Sequence, residues 1–276
     1  MPELPEVETI AQGLREAIEG KKIARVCYCA PHLKKLNTRG FERKLTGLRV
    51  ASIDRTGKNM FIRFSDQSFL HVHLRMTGQF NWQKKLPECD RHDHLIFEFS
   101  RTKKILVYRD VRKFGVIKYI TADRADKYLG DLKLGVDALK ISPAEFVEIL
   151  KSKKRMIKPL LLDQSLVAGL GNIYVDEILH RAKIHPMRSA DTISGRKLIE
   201  MHALMIEILN YSIANMGTTF DSFSRVNSEP GQFQAYLWAY DRQGELCRHC
   251  GKSKIIRIVV AQRGTHICPR CQKAPR

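Results

Sequence analysis

The chain lacks any apolar run of about 18 residues, the length that a membrane-spanning helix requires. Residues 1–20 contain neither a basic segment nor an apolar one, so we expect no secretory signal and a protein that stays inside the cell. Internal repeats and low-complexity tracts are also absent. Because 43% of the 276 residues are hydrophobic and 28% are charged, the composition favours a folded core and excludes disorder over most of the length.

Acidic residues are scarce. Asp and Glu number 29 against 48 Lys and Arg, which gives a formal net charge of +19. Such an excess opposes compaction and is typical of proteins that bind a polyanion, of which nucleic acid is the first candidate. A solvated basic surface and an anionic membrane surface are the alternatives. The charge is also uneven, because residues 1–20 carry five acidic residues and one basic residue, whereas residues 242–276 carry nine basic residues and one acidic residue.

Hydrophobic spacing predicts an α+β protein of several domains. Residues 3–19 have the periodicity of an amphipathic helix. Seven short apolar runs, separated by turn residues, then predict an antiparallel β-sandwich or barrel: Ile23–Cys29, Leu48–Asp54, Met60–Phe64, Ser68–Leu74, Leu95–Phe99, Ile105–Tyr108 and Val116–Ile120. Helical periodicity follows in Pro143–Leu150, Lys158–Leu162, Ile173–His180 and Ser194–Ala214. We predict a β-sandwich domain over residues 1–135, a helical domain over 136–240 and a cysteine-rich domain over 241–276.

Four cysteines near the C-terminus predict a metal site. They form two CxxC pairs separated by 17 residues: Cys247, Cys250, Cys268 and Cys271. This spacing is typical of one tetrahedral Zn²⁺ that replaces the core a small module lacks. Two disulfides or two redox motifs are the alternatives, and an intracellular location disfavours the disulfides. Three other cysteines match no ligand spacing, and we interpret them as ordinary thiols: Cys27, Cys29 and Cys89.

The segment between the two pairs alternates apolar and polar residues, which predicts a β-hairpin. Residues 262–265 are expected at its tip, where Arg263 could contact a phosphate or a groove. A solvated turn is the alternative.

The N-terminus offers a chemical group of its own. Met1 precedes Pro2, a residue small enough for the initiator methionine to be removed, and the mature chain would then begin with a secondary amine. An α-amino group titrates near pH 8 whereas lysine titrates near 10.4, so this amine would be a better nucleophile at neutral pH. In the alternative interpretation, Pro2 only starts the helix, and Glu3, Glu6 and Glu8 stabilise its positive end.

Six segments, in order along nearly the whole chain, resemble the formamidopyrimidine-DNA glycosylase family. They are PELPEVET after Met1, HLRMTG at 73–78, RHDH at 91–94, YRDVRKFG at 108–115, GLGNIYVDEILH at 169–180, and the tail with its QRGT and CxxC motifs. The resemblance implies a bacterial base-excision-repair enzyme that excises oxidised purines such as 8-oxoguanine and then cuts the abasic strand. It also implies a helix-two-turns-helix domain, one structural Zn²⁺ in a four-cysteine finger, and a monomer that acts on damaged double-stranded DNA in the cytoplasm.

The resemblance also implies a role for individual residues. Pro2 would attack the anomeric sugar carbon, Glu3 would transfer protons at the sugar ring oxygen, Glu6 would hold the terminus, and Lys58 would contact the lesion and its phosphate. The remaining matches imply DNA contacts: Met76, Arg112 and Phe114 in the void left by the extruded base, and His92, Lys158, Asn172 and Arg263 elsewhere. Residues 217–238 resemble the lid over an oxidised purine.

Departures from the family pattern affect lesion preference more than reaction class. Arg75 stands where many members have Gly, Val111 where Pro is usual, and Lys113 where Arg is common.

Two other functions compete with the family assignment. One is an endonuclease VIII-like glycosylase for oxidised pyrimidines, whose members tend to begin PEGPE. The other is a non-catalytic, zinc-dependent DNA-binding protein.

Overall fold

The computed structural model describes residues 1–29, 40–84, 90–218 and 231–275. The chain divides into two compact units, which are Met1–Lys133 with Asn215–Gln232, and Leu134–Ala214 with Phe233–Arg276. In these ranges no helix combines the length and the apolar character that a membrane crossing needs.

The interpretation of the isolated cysteines was correct in one case and wrong in another. Cys27 is a free thiol, but Cys29 is disulfide-bonded. Cys89 lies outside the described residues.

The first unit begins with helix α1, Leu4–Ile18. Glu3 is the N-cap residue, and the helix ends before Gly20, whose φ is +76°. The apolar residues at three- and four-residue intervals that predicted this helix form one buried face: Leu4, Val7, Ile10, Leu14 and Ile18. This face packs into the hydrophobic core of the unit. The helix is therefore amphipathic, as its sequence predicted.

Eight strands follow α1 and form two antiparallel four-stranded sheets, which confirms the predicted sandwich. The strands are β1 Ile23–Tyr28, β2 Val50–Thr56, β3 Asn59–Phe64, β4 Phe69–His73, β5 Gly78–Lys84, β6 Asp93–Phe99, β7 Lys104–Asp110 and β8 Val116–Ile120. One sheet has the order β1-β6-β7-β5 and the other has the order β2-β3-β4-β8. Both sheets contribute side chains to one shared core. The unit also contains the short helices α2, Phe41–Leu45, and α3, Ala125–Asp131, and a 3-10 turn at Ala122–Arg124.

Besides the connection from β1 to β2, two short turns carry the chain from one sheet to the other, and the strand register puts both turns at the same end of the sandwich. Residues 74–77 connect β4 to β5, and residues 111–115 connect β7 to β8. In the registers, His73 at the end of β4 lies opposite Val116, and Gly78 at the start of β5 lies opposite Asp110. We call residues 74–77 and 111–115 the crossing turns.

The second unit is helical. Its helices are α4 Pro143–Lys151, α5 Ile157–Leu162, α6 Asn172–Arg181 and α7 Gly195–Ala214, and a short parallel pair joins β9 Val136–Asp137 to β10 Val167–Ala168. Helix α4 starts with a capping box, in which Ser142 Oγ accepts the backbone N–H of Glu145 at 3.2 Å. All four helices match the segments that the periodicity predicted to within two residues.

The cysteine-rich tail of this unit contains the predicted antiparallel hairpin, β11 Ile256–Val260 and β12 Arg263–Ile267. Its tip differs from the prediction. Ala261 and Gln262 form the two-residue turn, with φ of 47° and 62°, whereas residues 263–265 belong to β12. Both turn residues have the left-handed conformation that a tight hairpin requires, so Arg263 is the first strand residue after the tip.

Candidate active site and metal centre

The first turn of α1 holds the predicted nucleophile and its acidic neighbours. Pro2 is buried, whereas Met1 is 48% exposed. Glu3 and Glu6 are 3% and 2% exposed. The Glu6 carboxylate accepts the backbone N–H of Glu3 at 2.9 Å, which fixes the start of the helix. Two acidic side chains are therefore buried within four residues of Pro2.

Helix α1 runs antiparallel beside strand β2, and three side chains set this direction. Arg15, in the last turn of α1, donates through Nε to the carbonyl oxygen of Ile53 at 2.8 Å. About two turns nearer the start of the helix, Glu8 Oε2 accepts a hydrogen bond from Arg55 Nε at 2.6 Å. Burial opposes ionisation of Glu8, but hydrogen bonds and charges from Arg15 and Arg55 outweigh it, and the pKa of Glu8 is lowered.

This direction aims the N-terminus of α1 at the β2–β3 turn, where Lys58 lies. Lys58 is 6% exposed. The β2–β3 turn lies at the same end of its sheet as the crossing turns. Met60 pairs with Val72, so the start of β3 at Asn59 lies beside the end of β4 at His73, where the first crossing turn begins. Burial, together with the charges of Arg75, His71 and Lys58, lowers the pKa of His73 to about 3. The His73 ring is therefore neutral beside Arg75 and Lys58 at physiological pH.

Asp110, at the end of β7, holds the two crossing turns together. Its Oδ1 accepts from Thr77 Oγ1 at 2.5 Å, and its Oδ2 accepts the backbone N–H of Gly115 at 2.8 Å. Thr77 Oγ1 in turn accepts the backbone N–H of Arg112 at 3.0 Å. A Cβ at position 115 would lie 1.9 Å from the hydroxyl of Tyr108, so only glycine fits there.

The crossing turns present the three residues expected in the DNA void. Met76 and Phe114 are 37% and 56% exposed, and the Arg112 guanidinium lies 4.9 Å from the centre of the Phe114 ring. Exposed apolar side chains beside a cation, held on a rigid base, could insert into a stack of bases. The structure therefore brings Met76, Arg112 and Phe114 together on adjacent turns.

His92 lies near these turns but points partly inward. Its carbonyl oxygen accepts the backbone N–H of Asp110 at 3.0 Å, and its Nε2 accepts from Arg91 Nε at 3.0 Å. Its Nδ1 is buried without a hydrogen-bond partner among the described residues. His92 thus contacts the residue that organises the crossing turns.

The base of the predicted lid contacts the active-site turn of α1. Glu6 Oε1 accepts the backbone N–H of Thr218 at 2.8 Å and its hydroxyl at 3.0 Å. Gly217 has a φ of +75°, and a Cβ there would lie 2.9 Å from Glu6 Oε1. A Cβ at Gly231 would lie 2.3 Å from the Gly217 carbonyl oxygen. Residues 217–218 and 231 form what we call the lid neck, and residues 219–230 lie outside the described part of the chain.

In the second unit, Asn172 and Lys158 meet the zinc-finger hairpin. Asn172 is the first residue of α6, whose N-cap is Gly171, and its Nδ2 donates to the Gly264 carbonyl oxygen at 2.9 Å. Lys158 is fully buried: its Nζ lies 2.6 Å from Asp176 Oδ1 and 2.8 Å from Thr265 Oγ1. Arg263, one residue before Gly264, is exposed.

The four cysteines of the tail converge as a metal site. Their sulfur atoms all lie within 4.8 Å of one another. Cys247 Sγ lies 3.9 Å from Cys271 Sγ, and Cys250 Sγ lies 3.8 Å from Cys268 Sγ. A tetrahedral Zn²⁺ with Zn–S bonds of about 2.3 Å requires sulfur separations of about 3.8 Å. The donor set and its dimensions therefore fit one structural zinc ion, as the sequence predicted.

Sequence reasoning missed the residues that connect these groups. Asp110 stands inside the YRDVRKFG segment and Thr218 inside the predicted lid, but the sequence analysis assigned neither residue a role. Asp176 and Glu177 stand inside a quoted motif, YVDEILH, but received no role. Their signal was available, because two adjacent acids in an apolar helical segment predict buried carboxylates that need partners.

Three family models match consecutive parts of the chain. Residues 1–117 match the formamidopyrimidine-DNA glycosylase N-terminal domain, residues 134–224 match the formamidopyrimidine-DNA glycosylase H2TH domain, and residues 244–274 match the zinc finger found in FPG and IleRS.

Curated and solved proteins are similar over the full length. A formamidopyrimidine-DNA glycosylase of Lactobacillus helveticus is 41% identical over 274 residues, covering 99% of both chains. A solved complex of Lactococcus lactis Fpg with DNA containing an abasic site has a TM-score of 0.90 at 37% identity, covering 99% of this chain and all of the other. A structure of MutM in complex with DNA containing carbocyclic 8-oxo-G has a TM-score of 0.89 at 38% identity, with the same coverage.

Proposed function

The chain belongs to the formamidopyrimidine-DNA glycosylase family, and on that premise we propose that its N-terminal amine at Pro2 performs the catalysis. As a member, it is a DNA glycosylase for oxidised purines in base excision repair, from a family that also has abasic-site lyase activity, and it binds DNA and a structural zinc ion. The observation that carries the proposal is the burial of Glu3 and Glu6 beside Pro2 in a chain of net charge +19.

The proposed reaction begins after removal of Met1. The secondary amine of Pro2 attacks the anomeric carbon, the bond from that carbon to the base breaks, and the base takes up the proton that the Pro2 nitrogen releases. Glu3 delivers a proton to the sugar ring oxygen, so the ring opens to an iminium ion. The iminium acidifies the neighbouring carbon, and successive β- and δ-elimination then expel the 3′ and 5′ phosphates. Hydrolysis of the iminium returns the amine.

Lys58 supports the proposal through its location. Its turn lies at the end of the sheet toward which α1 directs Pro2, and both belong to the first unit. A buried ammonium group at this point would hold the phosphate beside the lesion and balance the charges of Glu3 and Glu6. The crossing turns at the same end would supply the void-filling residues Met76, Arg112 and Phe114, with His92 beside them.

In the second unit, we propose that Asn172 and Arg263 contact DNA phosphates. Asn172 begins α6, and a helix N-terminus favours anions. For Lys158, burial and the ion pair with Asp176 favour a supporting role, in which Nζ holds residues Gly264 and Thr265 so that Arg263 is presented correctly. A direct phosphate contact by Lys158 would require this buried pair to open.

Glu6 would connect chemistry to lesion recognition. One of its oxygens binds the backbone N–H of Glu3, next to the nucleophile, and the other binds Thr218 in the lid neck. A shift of the lid neck would therefore be transmitted to the first turn of α1 through a single carboxylate.

Borohydride trapping tests the nucleophile. Wild-type protein should become covalently linked to duplex DNA containing 8-oxoguanine, because borohydride reduces the iminium to a stable amine. Pro2→Gly should lose most of this trapping. Pro5→Ala, three residues along the same first turn, is the matched control and should retain it. Intact-mass measurement should show that the active protein lacks Met1.

The outcomes separate the competing functions. A duplex containing an oxidised pyrimidine, trapped faster than the 8-oxoguanine duplex, would favour the endonuclease VIII-like activity. No crosslink from processed, zinc-loaded protein would leave only a DNA-binding role. Activity in protein that still carries Met1 would contradict Pro2 as the nucleophile.

The finer points of organisation are also proposals. We propose a catalytic domain over residues 1–135, a helix-two-turns-helix domain with the lid over 136–240 and a zinc finger over 241–276. We further propose that the protein acts as a monomer on the bacterial nucleoid in the cytoplasm, without a membrane partner. Sedimentation of the protein with and without DNA would test the stoichiometry.

A further inference from the structure

Three side chains of helix α6 that have no role in the proposed reaction form hydrogen bonds with the zinc-finger tail. Asp176, Glu177 and His180 occupy positions i, i+1 and i+4 of the helix, and all three are buried. Each contacts a different part of the tail, and all of these contacts lie within the second unit.

The two carboxylates bind the segments that lead to the two cysteine pairs. Glu177 accepts three consecutive backbone N–H groups, from residues 238, 239 and 240, at 2.8, 2.9 and 2.8 Å, ahead of the first pair. Asp176 accepts the backbone N–H of His266 at 2.8 Å, two residues before Cys268. Backbone groups on both approaches to the metal site are thus fixed by adjacent helical residues.

His180 reaches the metal site itself. Its Nε2 lies 3.3 Å from Cys247 Sγ, and both residues are 0% exposed. A zinc-bound cysteine is a thiolate and can only accept a hydrogen bond. Nε2 must therefore carry the proton and donate it. Nδ1 has no hydrogen-bond partner in the described ranges, and the His180 ring packs 6.4 Å from that of Trp238.

We propose that His180 is a positioning residue for the zinc ion, which donates Nε2–H to the Cys247 thiolate and so increases zinc affinity. A donor at this sulfur reduces the electrostatic cost of gathering four thiolates on one divalent ion and orients Cys247 for coordination. Outer-shell hydrogen bonds of this kind typically change metal affinity by about 10–100-fold. The zinc finger thereby depends on a helix outside its own sequence.

Chelator competition on the full-length, zinc-loaded protein tests the proposal. His180→Phe removes the donor and keeps a ring of similar size, and zinc affinity should fall by about 10–100-fold. His180→Gln retains an N–H donor and should stay closer to wild type. His202→Phe is the matched control, because His202 is also buried and donates through Nε2 to the Ile141 carbonyl oxygen at 2.9 Å. This control should lose thermal stability without losing zinc affinity.

A spectroscopic measurement separates the hydrogen bond from general stability. With Co²⁺ in place of zinc, the thiolate-to-cobalt charge-transfer band should move to longer wavelength in His180→Phe, because a thiolate that accepts no hydrogen bond gives up its electron more easily. The proposal is overturned if His180→Phe leaves both zinc affinity and this band unchanged. Equal loss of affinity in His202→Phe, or an equal band shift in His180→Gln, would also overturn it.

Discussion

Replacing Lys158 with Met distinguishes a buried structural lysine from a phosphate contact. Its Nζ lies 2.6 Å from Asp176 Oδ1, and both side chains are 0% exposed. Removing one partner of a buried ion pair leaves the other charge uncompensated and typically costs about 3–5 kcal/mol. Asp176 keeps its hydrogen bonds from His266, so we expect a loss near the lower limit, about 3 kcal/mol. At about 2.1 cal/mol/K of unfolding entropy per residue over the second unit, that corresponds to roughly 11 °C in Tm.

The double variant Lys158→Met/Asp176→Asn tests whether the stability loss of Lys158→Met comes from the unpaired charge of Asp176. The Asn side chain removes the stranded negative charge but can still accept the backbone N–H of His266. We therefore expect the double variant to be more stable than the sum of its single losses, with a coupling of about 0.5–3 kcal/mol. Thermal denaturation followed by circular dichroism would measure all three variants.

DNA affinity as a function of salt supplies the deciding assay. A phosphate contact contributes about 0.9 to the slope of log affinity against log salt. We expect Lys158→Met to keep the wild-type slope at temperatures where it is folded, whereas exposed Arg263→Gln should lose about 0.9 with little change in stability. The reverse result for Lys158→Met, an unchanged Tm with a slope lower by about 0.9, would refute the positioning role.

Three further predictions concern the first unit. Gly217→Ala and Gly20→Ala both place alanine at a φ near +75°, so both should lose about 1–2 kcal/mol of stability. Only Gly217→Ala puts a Cβ against Glu6, so only this variant should also slow excision, and equal excision rates would contradict the coupling through the lid neck. Phe114→Ala should slow excision from duplex DNA more than trapping at an exposed abasic end, with Tm nearly unchanged, because Phe114 is 56% exposed; equal losses would remove its role in the void. Burial and the charges of Lys118 and Arg75 lower the pKa of His71 to about 4, so the unfolded chain takes up its proton first as the pH falls below 6.5. In denaturant titrations between pH 6.5 and 4, His71 should contribute up to about 1.4 kcal/mol per pH unit to the fall in the free energy of unfolding, so the slope of His71→Gln should be shallower by that amount, and an unchanged slope would contradict this origin.

The elements that could be predicted from sequence are those whose residue spacing alone indicates where the side chains lie. Helix α1 could be predicted because its large apolar residues recur at every third or fourth position and form one buried face. The zinc ligands Cys247, Cys250, Cys268 and Cys271 could be predicted because a CxxC spacing directs two sulfurs to one ion. The site residues Pro2 and Lys58 required the family resemblance, since a proline after Met1 and a lysine in a turn are common for other reasons.

Strand β5 and the tip of the zinc-finger hairpin are among the elements that the sequence did not predict, and their own residues explain why. Strand β5, Gly78–Lys84, begins with glycine and carries Gln79, Asn81 and Gln83 between its buried residues, so its apolar content is too low for a strand prediction. The hairpin tip was expected two residues too late, because its left-handed residues are Ala261 and Gln262 and not the glycine that usually marks such a turn.

Lys158 shows most clearly that the sequence alone does not tell whether a charged residue is exposed. In the sequence it stands in a basic cluster with Lys151, Lys153, Lys154 and Arg155, and such a cluster predicts solvent exposure. Helix α5 begins at Ile157, however, and turns Lys158 inward between α6 and β12, where Asp176 neutralises it. Charge counted along this basic cluster therefore overestimates the cations available to DNA, and only the three-dimensional pairing identifies Lys158 as the one withdrawn.

Location also decides how the scarce acidic residues affect DNA binding. A surface carboxylate would repel DNA, so a chain of net charge +19 that binds DNA can use acids safely where they are buried or already engaged. Six buried carboxylates each accept at least one backbone N–H and close a turn, a helix start or a loop: Glu6, Asp93, Asp110, Asp137, Asp176 and Glu177. Each satisfies donors that would otherwise be buried without partners. Replacing any one with its amide should therefore destabilise the turn it holds, although it would make the net charge more favourable for binding DNA.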